Sequence, residues 1–162
     1  MTKQQLTVIA TAAVTTIIVI VGFILLMPVI GPRIMHPIMM GESESAPAAL
    51  DTATTRPTDN GLFTVAWRSD TDNVPLNQIH TWTLTVTTPD GAPVENAEIS
   101  VDGGMPQHGH GLPTSPQVTA YLGNGEYRVE GLRFQMTGWW EVKFNISAGG
   151  QTDSITFNLT LK

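Results

Sequence analysis

Met105, His108 and His110 stand close together in the stretch Gly103-Gly104-Met105-Pro106-Gln107-His108-Gly109-His110-Gly111-Leu112-Pro113. Imidazole nitrogen with thioether sulfur is a donor set that suits copper. The soft thioether selects Cu(I), and imidazole accepts either oxidation state. Glycines at 103, 104, 109 and 111 permit positive φ and would let the loop close round a small ion. A second thioether, Met136, follows in Arg133-Phe134-Gln135-Met136-Thr137-Gly138-Trp139-Trp140. Another metal, or a solvated loop holding none, is compatible with the same spacing. His80 heads an alternating segment and reads as a structural or capping histidine. The run Met35-His36-Pro37-Ile38-Met39-Met40 reads as apolar side chains at a bilayer surface rather than as a copper relay.

Other chemistry is poorly represented. The chain has no cysteine, which excludes disulfides and thiolate metal sites. It lacks a nucleophile elbow, a P-loop, a dinucleotide fingerprint and a His-Glu-x-x-His pair. Asp70 and Asp72 sit in a polar, turn-like segment and read as solvated. A binding or accessory protein is therefore expected, not an enzyme. The formal net charge of −6 leaves no basic patch for nucleic acid.

The elements that must position these donors are strands. Trp82, Leu84 and Val86 alternate with Thr81, Thr83, Thr85 and Thr87, apolar residues to one face and threonines to the other. The same two-residue period runs through Phe63-Val65-Trp67, Ala97-Ile99-Val101, Trp140-Val142-Phe144-Ile146 and Ile155-Phe157-Leu159-Leu161. Pro89-Asp90-Gly91, Gly123-Asn124-Gly125 and Ala148-Gly149-Gly150 supply turns between them. With Gln117–Leu122 and Glu126–Leu132 this makes about seven short strands. The reading is an all-β, immunoglobulin-like β-sandwich over residues 61–162. Loops of a sandwich collect at its two ends, so Met136 could approach His108 and His110.

Ahead of the strands, Leu6–Ile30 carries no charge. As a helix it would be roughly 37 Å long against about 30 Å of hydrocarbon, enough to span with some tilt. The absence of an Ala-x-Ala pattern after Met27 argues for a retained transmembrane anchor over residues 1–33 rather than a cleaved leader. Lys3 and the terminal amine precede the helix, while Glu42 and Glu44 lie beyond Arg33. That balance favours the N-terminus inside and the domain outside. Thr7, Thr11, Thr15 and Gly22 line one helical face, suited to a partner helix or to bonding back onto their own backbone. Residues 34–60, rich in Ser, Ala, Thr and Pro, read as a juxtamembrane segment and flexible tether.

The Met-Pro-x-His-Gly-His core resembles that of the YtkA-like and FixH-like proteins. Further matches are Thr114-Ser115-Pro116, Gly125-Glu126-Tyr127-Arg128-Val129, the alternating Leu132, Phe134 and Met136, and Gly138-Trp139-Trp140-Glu141-Val142. The resemblance covers most of Leu62–Lys162. It implies a bacterial, copper-related sandwich tethered to the cytoplasmic membrane, with its domain in the periplasm. FixH-like members are associated with assembly of copper-containing terminal oxidases. The site layout also resembles that of periplasmic copper chaperones, which hold Cu(I) with His and Met, and this implies Met105, His108, His110 and Met136 as the ligands. Two functions are thus expected from the chain: a periplasmic copper-binding protein serving a respiratory oxidase, or a metal-free accessory subunit of a membrane complex.

Overall fold

Most of the expected strands send every second side chain inward, and those side chains form one core. In the computed structural model, which describes residues 49–162, Trp82, Leu84 and Val86 are fully buried. So are Trp140, Val142, Phe144 and Ile146, and Phe157 joins them from the last strand. The described residues are all-β: nine strands in two antiparallel sheets, with a single 3-10 turn. The strands are β1 (Thr55–Pro57), β2 (Thr64–Ser69), β3 (His80–Thr87), β4 (Glu98–Met105), β5 (His110–Gly111), β6 (Gln117–Gly123), β7 (Glu126–Leu132), β8 (Gly138–Ala148) and β9 (Gln151–Leu161). One sheet runs β1-β2-β3-β7-β6 and the other β5-β4-β8-β9. Inner-face residues of both sheets share one apolar cluster.

Seven of these strands are the expected ones. The additions are short. β1 falls in the stretch read as tether, where Thr55, Arg56 and Pro57 pair with Ala66, Val65 and Thr64. The Arg56 guanidinium also donates to the carbonyl of Thr156, and Asn158 donates to that of Asp51, so residues 51–57 run against β9. The expected anchor, Leu6–Ile30, and the Met35–Met40 cluster lie outside the described residues. Among the described residues, no helix is long and apolar enough to cross a membrane.

One residue of the threonine face is covered. Thr83 lies on the face that alternation gives it, yet it is only 4% exposed. Its hydroxyl donates to Asp70 Oδ1 at 3.3 Å, because the loop after β2 folds over it. Alternation says which face a residue occupies, not what covers that face.

Strand order and direction gather the chemistry at one end. β4 finishes there at Met105, β7 at Leu132 and β2 at Ser69, while β3 begins there at His80 and β8 at Gly138. The register of β3 against β7 slips between His80 and Trp82, and Gly131 takes φ +87 at this bulge. The opposite end holds Tyr127, whose hydroxyl donates to the carbonyl of Val94 at 2.7 Å and accepts the N–H of Ala97.

Candidate metal centre

Met105 is the last residue of β4, and its neighbour across the ladder is His110 of β5. Directly opposed residues of an antiparallel pair put their side chains on the same face, with Cβ atoms about 4.5–5.5 Å apart. Backbone pairing thereby makes the Cβ atoms of Met105 and His110 neighbours. Between them Pro106–His108 forms the 3-10 turn, ended by Gly109 at φ +63. That turn returns the chain onto β4 and brings the His108 and His110 rings to a centroid separation of 6.1 Å. A metal–nitrogen bond is about 2 Å, so two imidazoles on one ion have centroids at most roughly 6 Å apart. The observed spacing stands at that limit, which two imidazoles reach only when they bind from nearly opposite sides of the ion.

The glycines do a different job from the one expected. Of the four, only Gly109 uses positive φ. A Cβ on Gly104 would overlap the carbonyl of His110, and one on Gly103 the carbonyl of Glu141. Both allow close backbone approach: Gly104 lets the two-residue β5 sit on β4, and Gly103 lets β8 close on its other side. Gly111 meets nothing tighter than ordinary contact.

Burial separates the four candidate donors. Met105 is 1% exposed and belongs to the core cluster, whereas His108 and His110 are exposed. Met136 is 39% exposed in the loop between β7 and β8. Its carbonyl accepts the indole N–H of Trp140 at 3.0 Å, which pins the loop above the core. The Met105 methyl lies 3.1 Å from where a Cβ on Gly138 would stand, two residues from Met136. The structure therefore makes Met105 and His110 neighbours across the ladder, sets the His108 ring beside that of His110, and brings Met105 against the loop that carries Met136. Among the described residues, no three His, Asp or Glu side chains are grouped to hold a metal. A site here needs the thioethers, and that donor chemistry favours a soft ion.

His80 lies at the same end but turns inward. It is 7% exposed, with ring centroids 5.5 Å from Phe134 and 6.2 Å from Trp82. Burial lowers its pKa, and the contact of Nδ1 with the carbonyl of Gln78 only partly offsets this. Nε2 is buried with no partner among the described residues. The residue is structural, in line with its reading from sequence.

Asp153 is a buried charge that sequence reasoning passed over. It interrupts the inward row of β9, and its carboxylate accepts the backbone N–H groups of Asn60, Leu62 and Ser154 and the side-chain amide of Asn60. Burial acts to raise its pKa, yet these donors outweigh it and hold the carboxyl well below the usual carboxylate range. An acidic residue at an inward position of an otherwise apolar alternation was the available signal.

A family model for YtkA-like domains matches residues 69–145, from the end of β2 into β8, and supports the YtkA-like family for this stretch. No curated protein matches the chain. A solved structure, the GAE domain of GGA2p from Saccharomyces cerevisiae, is 14% identical with a TM-score of 0.34, covering 70% of this chain and 97% of that one. A likeness that distant carries no argument.

Proposed function

We propose that the protein is a membrane-anchored periplasmic copper-binding protein of FixH-like type, acting as a metallochaperone or assembly factor for a copper-containing respiratory oxidase. The observation that carries this reading is the opposition of His110 to Met105 in the β4–β5 ladder, with a second imidazole 6.1 Å from the first. Met105, His108, His110 and Met136 would hold Cu(I), the thioethers setting the preference for the soft ion. Two exposed imidazoles beside a buried thioether give an incoming ligand access to the metal from the histidine side. Copper here is cargo, so the protein needs no catalytic group. The sandwich is of immunoglobulin-like type. In its favour, β2-β3-β7-β6 and β4-β8-β9 follow the A-B-E-D and C-F-G order of that fold. The uncharged Leu6–Ile30 stretch serves as the inner-membrane anchor, with the domain outside.

The competing reading, a metal-free accessory subunit, draws on one observation. Met105 is buried as completely as any core leucine, and packing alone accounts for that. Titration of the full chain in detergent with Cu(I) against a competing chelator separates the two. About one equivalent should bind, and the His108→Ala/His110→Ala double variant should lose it while remaining folded, since both residues are exposed. Equal copper retention by both proteins would exclude the loop as the site. No retention by either would leave the accessory role.

A further inference from the structure

β5 is a strand cut short. It covers Gly104 and Met105 of β4, after which the Leu112 N–H donates to the carbonyl of Gly103 at 3.0 Å and the chain departs through Pro113. The N–H of Gly103 donates to the Asp102 carboxylate at 2.7 Å. Both backbone groups of Gly103 therefore point away from β8. Along an antiparallel strand that orientation repeats every second residue, so Val101 and Ile99 aim their N–H and C=O groups outward too. Neither has a partner on that side among the described residues. They open into a groove of about 680 Å³, walled opposite by Leu112, Thr114, Pro116 and Val118. The Thr114 hydroxyl on that wall is buried without a partner.

We propose that this groove takes an extended peptide from a partner protein, which adds to β4 as the missing continuation of β5. A paired strand sits about 4.8 Å from its neighbour, so one added strand meets the outward backbone groups of Ile99 and Val101. Charge selects among peptides. Glu98 and Asp102 are exposed on the outer face of β4 at either end of the open stretch, and a strand alongside them presents its own outer side chains to both. The ligand is therefore a segment alternating basic residues on that face with apolar residues toward Ile99 and Val101. The protein's own residues Asp51–Pro57 run against β9, on the opposite edge of this sheet. The inference is independent of the copper reading, since it uses no metal ligand.

The probe is a fluorescent decapeptide of alternating valine and lysine, added to the full chain in detergent. Binding is followed by anisotropy, and amide exchange is followed by NMR. The peptide should protect the Ile99 and Val101 amides. A second peptide, N-methylated at the residues that face β4, should bind at least about tenfold more weakly, as expected for losing main-chain bonds. Val101→Pro should weaken the unmethylated peptide similarly, because that N–H is not part of the β8 ladder and an edge position tolerates proline. Unchanged tryptophan fluorescence would show that this variant is folded. Equal binding of the two peptides, protection at other strands, or no binding at all would overturn the proposal. So would full protection of both amides without peptide, which would mean that the tether or a second copy already fills the edge.

Discussion

Burial pushes the His80 imidazole toward its neutral form, and this has a consequence for stability with a definite sign. In the unfolded chain a histidine takes up its proton near pH 6.5, while the folded His80 resists until lower pH. Stability is then fully present above about pH 6.5 and is lost as the pH falls toward the folded value. Denaturant midpoints measured between pH 7.5 and pH 5.5 should fall for the wild type, and less steeply for His80→Phe. Asp153 acts in a more acidic range. Its folded pKa is depressed, so its contribution is present above the unfolded carboxylate value of about 3.9 and disappears as the pH drops below it. Asp153→Asn should be less stable at neutral pH and should lose less on acidification. Met105 offers the residue-level test of the metal reading. Met105→Leu nearly conserves volume and should cost under about 1.5 kcal/mol of stability. It should still lower Cu(I) affinity, and unchanged affinity would place the thioether in the core alone.

At the level of elements, β3 separates the effect of alternation from that of cover. Leu84→Ala removes a fully buried side chain from the centre of the core and should cost about 2–5 kcal/mol. Thr85→Ala, on the half-buried face, should stay within about 0.5 kcal/mol. Thr83→Ala should fall between them, because it strips a hydroxyl from beneath the Asp70 loop. Equal costs at all three positions would mean that the register is wrong. β5 answers to different forces. It holds to β4 by pairing at two residues, and Gly104 makes that approach possible. Gly104→Ala should displace β5, separate His110 from Met105 and reduce copper affinity, with the denaturant midpoint little changed. The seven long strands do not depend on β5.

For the molecule as a whole, the arrangement of sheets decides which residues meet. Met105, Met136 and His80 are far apart in sequence and reach one end of the fold because alternate strands run in opposite directions. On the proposed reading, Leu6–Ile30 anchors the chain in a membrane. The intact protein should therefore sediment with membranes, and mass spectrometry should recover its N-terminal peptide. A mature form beginning after Arg33 would show a cleaved leader instead.

The sequence by itself determined the all-β class, the seven long strands and their inward residues, because a two-residue period is a local property that any neighbouring sheet reads in the same way. It also singled out Met105, His108 and His110 as a candidate cluster, since they are close in the chain. It did not determine β1 or β5. Segments of three and two residues have too little periodicity to register, and they become strands only because β2 and β4 offer them an edge. The tertiary structure alone decided that Thr83 is covered, that Gly103 and Gly104 serve close approach rather than positive φ, and that Met105 is buried while its histidines stay exposed. Each of these depends on what lies across the sheet or above it, and contacts between residues distant in sequence leave no local pattern to read.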